Sequence, residues 1–286
     1  MGALDELRLA YEKYLADDEF LAERFAALKM EGRSALIPYI AAGDPQPQAT
    51  LRLMHTLVKS GADIIELGIP FSDPMADGPV IQRAAERALE HDVSLHDVLD
   101  MVREFRNSDA NTPVVLMGYL NPIEVMGYEA FAEAASKAGV DGVLTVDLPP
   151  EEGSEFLQAL KANQLDPVFL IAPTSDASRI KRICDASSGY VYYVSLKGIT
   201  GAGHLDIGSV KEKVEEIRAL SDLPVGVGFG IKDAETAAKM AEIADAVVVG
   251  SAIVSRIEAE AASLDAVDRV VGEFVTELSS ALQTRE

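Results

Sequence analysis

Eight times along this chain a short apolar run of strand length is followed by a longer stretch in which apolar residues recur at helical spacing. The runs fall at 35–41, 63–67, 113–117, 142–146, 167–171, 190–195, 224–228 and 246–250. A parallel strand cannot reach the next one through a tight turn, so each needs a crossover, and an amphipathic helix supplies it. The intervening helices are predicted at 48–60, 79–90, 95–107, 129–138, 151–163, 177–186, 210–220, 234–244 and 264–281, two of them between the second and third strands. Eight such units close into a barrel of typically about 250 residues. An open doubly wound sheet would carry a glycine-rich dinucleotide fingerprint after its first strand, and residues 41–44 lack it. The predicted fold is α/β, a single (β/α)8 TIM barrel over residues 1–286. Leu4, Leu7, Leu15, Leu21, Phe25 and Leu28 add one or two amphipathic helices, and residues 1–32 form an amino-terminal helical cover.

The charge narrows the partners. There are 25 Lys and Arg against 47 Asp and Glu, a formal net charge of -22. Such a surface repels nucleic-acid phosphates and anionic lipid, although backbone N–H groups at a helix N-terminus still attract a small anion locally. The single cysteine, Cys184, rules out an intramolecular disulfide and a cysteine metal cluster. The four histidines show no metal-ligand spacing, so no metal is expected. His55, His91 and His96 read as helix-surface residues and His204 as a solvated loop residue. With no basic-then-apolar start and no apolar run of membrane length, the chain is expected to be soluble and cytoplasmic.

The chemistry concentrates in DIIELGIPFSDPMADGP at 63–79. Glu66 lies inside an apolar run, where a carboxylate is poorly solvated unless something polar meets it. Gly68, Pro70, Pro74, Gly78 and Pro79 then break the chain into a loop that returns Asp77 over the strand end. In a barrel the C-terminal strand ends carry function, and both carboxylates fall there. Taken alone, Glu66 reads equally as a salt-bridged strand terminus, and Asp77 as a cap on the helix that begins near Gly78. Tyr192, in the alternating segment YVYYVSL, faces inward if Tyr193 faces the helices, and taken alone it reads as a core aromatic. Glycines after the last two strands leave room for backbone N–H groups to approach a phosphate, with GSAI at 250–253 opening a short helix.

Several motifs stand in order along the chain: LIPYIAAGDP at 36–45, the 63–79 segment, MGYLNP at 117–122, VDLP at 146–149, GITG at 198–201 and GFGI at 228–231. Over about residues 20–270 the chain closely resembles the tryptophan synthase alpha chain family. The resemblance implies a lyase that cleaves indole-3-glycerol phosphate to indole and D-glyceraldehyde 3-phosphate by a retro-aldol reaction. It implies Glu66 as the proton shuttle for indole C3 and the side-chain hydroxyl, and ionised Asp77 as acceptor of the indole N–H. It places Tyr39, Leu116, Tyr119, Thr145, Ile171, Tyr192 and Thr200 around the substrate, and Gly201, Gly230, Gly250 and Ser251 around the phosphate. It implies a tryptophan synthase beta chain as partner in an alpha2-beta2 heterotetramer, with pyridoxal phosphate in that partner and no cofactor in this chain. The glycine-rich segment 196–207 is expected to be a lid. There the chain departs from better-known relatives, which have arginine directly after the serine matching Ser195, where this one has Leu196 and then Lys197. A free-standing lyase and a noncatalytic sugar-phosphate-binding barrel are the competing readings.

Overall fold

A computed structural model describes residues 20–195, 207–228 and 230–283. Thr200, Gly201, His204 and nearly all of the expected lid lie outside the described residues, as do residues 1–19.

The elements follow in the order α1 (Phe20–Met30), β1 (Ala35–Ala41), α2 (Pro47–Lys59), β2 (Ile65–Gly68), α3 (Pro79–Leu89), α4 (Leu95–Arg106) and β3 (Val114–Gly118). Next come α5 (Leu120–Met126), α6 (Tyr128–Ala138), β4 (Gly142–Thr145), α7 (Ser154–Ala162), β5 (Asp166–Val168), β6 (Leu170–Ile171) and α8 (Ala177–Ala186). The series ends with β7 (Val191–Val194), α9 (Ile207–Arg218), β8 (Val225–Gly228), α10 (Ala234–Ala241), β9 (Ala246–Val249), α11 (Ser251–Ala259) and α12 (Leu264–Gln283). All strand pairs are parallel, in the order β5-β4-β3-β2-β1-β9-β8-β7-β6.

The sequence predicts one strand at 167–171, and the structure divides it at Phe169. Its first half pairs with β4 and its second with β7, so the two edges of the sheet are halves of one passage and the barrel closes. The Tyr192 N–H donates to the Phe169 carbonyl at 3.1 Å and carries the pairing across the break. The helix α5 is not among those predicted, and Pro122 stands in its first turn. Proline is tolerated in the first turn, where its missing N–H has no intrahelical partner to lose.

Strand alternation sorts the apolar residues into two layers. Leu67, Leu116, Val143, Ile171, Val227 and Val249 pack outward with the helices. Ile37, Ile64, Val115, Leu144, Val168 and Val248 fill the interior with Leu21, Phe25 and Leu28 of α1. Helix α1 therefore packs into the N-terminal end of the barrel. Arg24 of α1 and Arg33 hold the buried Asp63 at 2.5 and 2.8 Å, and the Leu36 N–H donates to the same carboxylate at 2.9 Å. These bonds tie α1 to the segment that leads into β2 and Glu66.

Candidate active site

Glu66 sits on β2 in register with Tyr39 of β1 and Val115 of β3, pointing into the barrel. Its residue is 1% exposed, and its Oε1 accepts a hydrogen bond from the Tyr190 hydroxyl at 3.2 Å. Burial pushes the carboxyl pKa up to about 8, against the opposing pull of that bond. A carboxyl that titrates near neutrality gives and takes a proton at comparable cost, which suits a shuttle.

Asp77 comes from the loop after β2, just before Gly78 and the helix α3. It does not cap that helix: Gly78 is the N-cap, and the helix makes no side-chain cap bond. The Gln82 amide donates to the Asp77 carbonyl at 2.8 Å. Tyr119 fixes the loop from the other side, since its Oη accepts from the Ala76 N–H at 3.1 Å and hydrogen-bonds the Asp77 carboxylate. Partial burial raises the Asp77 pKa, and the Tyr119 bond holds the rise back. Phe71 lies against the Tyr119 ring at 5.3 Å between centroids. Behind the loop, Arg87 of α3 donates to buried Asp44 at 2.6 and 3.0 Å and so ties the helix after Asp77 to the end of β1.

Two glycines make space for aromatic side chains. A Cβ at Gly68 would lie 2.1 Å from the Tyr39 hydroxyl, and one at Gly228 would lie 2.0 Å from that of Tyr192. Tyr39 and Tyr192 thus lie across the ends of β2 and β8; burial raises the pKa of both, with Asp77 and then Glu66 adding to the rise at Tyr39 and Glu66 at Tyr192. Tyr192 faces inward and Tyr193 packs outward.

Two sequence-derived assignments need correction. Leu116 and Ile171 are fully buried in the outer layer against the helices, because each is one residue out of phase with the inward positions. Met117 and Leu170 occupy those positions and pack with the interior cluster. Thr145 lies between inward Leu144 and Val146, and among the described residues its buried Oγ1 has no hydrogen-bond partner. It lines a cavity of about 210 Å³ with Val146, Leu148, Phe169 and Leu170. Tyr190 was overlooked, although it has the same strand parity as Tyr192 and that signal was available.

Two strands along the same rim, Gly250 is the N-cap of α11, which begins directly after β9 and also lacks a side-chain cap. The position of a Cβ on Gly250 faces Tyr39 at 3.6 Å, so the helix start opens onto the site. The helix α10, after Gly230, differs: Asp233 caps it by accepting from the Thr236 N–H at 2.8 Å, which places a carboxylate where an anion would go. Gly230 has φ 76°, the left-handed region that favours glycine, and it turns the chain after β8. Gly230, Gly250 and Ser251 therefore share one rim, with α11 offering the free helix start.

A closed parallel barrel with a buried carboxyl of raised pKa under its mouth, and an uncapped helix start two strands along the same rim, has the make-up of a phosphate-binding barrel enzyme. The model of the family described as tryptophan synthase alpha chain matches residues 25–283. The tryptophan synthase alpha chain of Thioalkalivibrio sulfidiphilus is 63% identical over 262 residues, covering 92% of this chain and 98% of the relative. That of Alkalilimnicola ehrlichii is 57% identical over 262 residues, covering 92% and 96%. A crystal structure of tryptophan synthase subunit alpha from Legionella pneumophila superposes with a TM-score of 0.85 at 47% identity, covering 92% of this chain and 98% of that one. The chain belongs to the tryptophan synthase alpha chain family.

Proposed function

We propose that Glu66 and Asp77 divide the proton and charge work of the family reaction in this chain. That reaction is the cleavage of indole-3-glycerol phosphate to indole and D-glyceraldehyde 3-phosphate, and this chain is a carbon–carbon lyase of that kind. The observation that carries the residue assignment is the buried carboxyl of Glu66, its pKa raised to about 8 at a strand end, with the less buried Asp77 carboxylate in the loop that follows the same strand.

Glu66 delivers a proton to indole C3, turning the ring into an electron sink, and takes the proton of the side-chain hydroxyl as the carbon–carbon bond breaks. Ionised Asp77 accepts the indole N–H and stabilises the positive charge that develops there. Tyr39, Tyr192, Met117 and Leu170 supply the walls for the ring. Thr145 lies beside them, and Thr200 and Gly201 belong to the lid expected to exclude water. Gly230, Gly250 and Ser251 receive the phosphate with backbone N–H groups. No step calls on a cofactor.

An alpha chain implies a beta-chain partner. We place its docking surface on the barrel mouth and the assembly as an alpha2-beta2 heterotetramer, with pyridoxal phosphate held by the beta chain. Met75 in the Asp77 loop and Val125 on α5, which follows β3, are 83% and 82% exposed at this mouth, and exposed large apolar side chains favour a protein partner. Among the described residues no helix is long and apolar enough to cross a membrane, and a cytoplasmic location is our reading.

The test is indole release from indole-3-glycerol phosphate, with and without an added beta chain. Turnover that rises several-fold in a sedimenting complex is expected. Turnover without complex or activation leaves a free-standing lyase, and substrate binding without turnover leaves a sugar-phosphate-binding barrel.

Gly250→Val gives a second expected outcome. The new side chain meets Tyr39 at ordinary contact distance, and the backbone is not left-handed, so the fold should persist. Affinity for the phosphorylated substrate is expected to fall about tenfold or more, roughly 1.4 kcal/mol, while affinity for free indole changes little. Equal weakening of both ligands in calorimetry would remove Gly250 from the phosphate site. Gly230 is a poorer probe, because its φ of 76° would strain the backbone under any side chain.

A further inference from the structure

We infer that Tyr190, braced by Phe25 of the amino-terminal helix, is a positioning residue that holds the Glu66 carboxyl in place from the N-terminal side of the barrel. The inference rests on the reading of Glu66 as the proton shuttle.

Tyr190 directly precedes β7 and is fully buried. Its ring belongs to the interior cluster with Leu21, Phe25 and Leu28, which plug the barrel end opposite the mouth. The Phe25 and Tyr190 rings lie 5.7 Å apart between centroids at 47°, a tilted contact that fixes the ring plane. On another side Gly226 of β8 leaves room, since a Cβ there would already be 3.3 Å from the ring. With its ring so enclosed, the hydroxyl has one direction to point, and it meets Glu66 Oε1 at 3.2 Å.

The groups facing Glu66 are few. Tyr39 comes from β1, and Tyr190 and Tyr192 come from β7 or its start. Asp77 acts on Tyr39 from the loop. No cation of the described residues acts on Glu66, and Tyr190 is the one side chain of the three tyrosines that hydrogen-bonds it. The phenol favours the ionised carboxyl while burial favours the protonated one, so this bond keeps the shuttle from being locked in its acid form.

The amino-terminal helix thereby reaches the reacting proton in two contacts. A cover that only filled space would pack against the barrel floor without leading to Glu66. Here the sequence run that closes the barrel also sets the height and orientation of its proton carrier.

The test compares wild type with Tyr190→Phe, which keeps the ring and its packing, and with Phe25→Leu. The Glu66 carboxyl is titrated through its infrared C=O band, isolated as the difference against Glu66→Gln. The midpoint is expected to rise by about one pH unit in Tyr190→Phe and by less, in the same direction, in Phe25→Leu. The limb of the pH–rate profile that reports Glu66 should move with it. An unmoved midpoint in Tyr190→Phe, with or without a lowered melting temperature, overturns the assignment. An unmoved midpoint in Phe25→Leu overturns the brace. Because the band is read without substrate, wild type that fails to release indole would strike the functional reading and leave this measurement intact.

Discussion

Glu66→Gln is expected to lower indole formation by about a thousandfold, within the roughly 10²–10⁴ attributed to a positioned general acid–base, and at the same time to make the folded chain more stable at neutral and alkaline pH. The amide keeps the size of the side chain and can still accept from the Tyr190 hydroxyl, but it cannot carry a proton between C3 and the hydroxyl. Stability follows from the raised pKa. In the unfolded chain Glu66 ionises near 4.5, whereas burial holds it protonated up to about 8 in the fold. Below 4.5 both states are protonated and the group costs nothing. Between 4.5 and about 8 the unfolded state gains from ionisation and the fold does not. Each pH unit there removes roughly 1.4 kcal/mol from stability, and the loss levels off above the folded pKa. Gln escapes that loss. Urea unfolding of the two chains should agree near pH 4.5 and separate in favour of Gln by on the order of 3–5 kcal/mol at pH 8. Near-normal turnover would remove Glu66 from the mechanism, and parallel stability curves would show that its carboxyl is not held protonated by the fold.

Asp77→Asn is expected to reduce kcat by about 10²–10³-fold, the scale of one lost electrostatic contact to developing charge, with substrate affinity changed by only a few-fold. The Asn carbonyl oxygen can still accept the Tyr119 hydroxyl bond that Asp77 accepts, so the loop should keep its shape. What disappears is a full negative charge beside the indole nitrogen, and that charge matters most when the ring is protonated. The wild-type rate should also fall at acid pH as Asp77 takes up a proton, from a pKa above the ordinary carboxylate value because of burial. The Asn variant should lack that limb. Measured by single-turnover kinetics beside calorimetric binding, a loss of affinity with turnover retained would reverse the assignment.

Both substitutions rest on residues that the chain itself displays. Glu66 stands out because a carboxylate inside an apolar strand is costly unless it is used, and Asp77 because glycines and prolines around it allow only a shaped return. The number and direction of the strands follow from periodicity, since a run of parallel strands with helical crossovers closes in few ways. Family resemblance then supplied roles that single residues left open. The helix start at Gly250 and Ser251 was likewise legible, because a glycine-led helix after the last strand has a fixed place in a barrel.

Other features depended on the assembled fold. Leu116 and Met117, like Ile171 and Leu170, are all apolar, and only the pleat decides which of each pair faces the barrel interior and which the helices. The break at Phe169 arises because one passage must hydrogen-bond β4 on one side and β7 on the other. The Tyr190 bond joins residues 124 positions apart, a distance over which local pattern carries no information. Sequence by itself determined which residues could do chemistry and roughly which end of the barrel they occupy, because side-chain type and strand periodicity are local properties. Tertiary structure alone decided the carboxyl's pKa and its partner, because solvation and contact geometry belong to the closed barrel and to no segment of it.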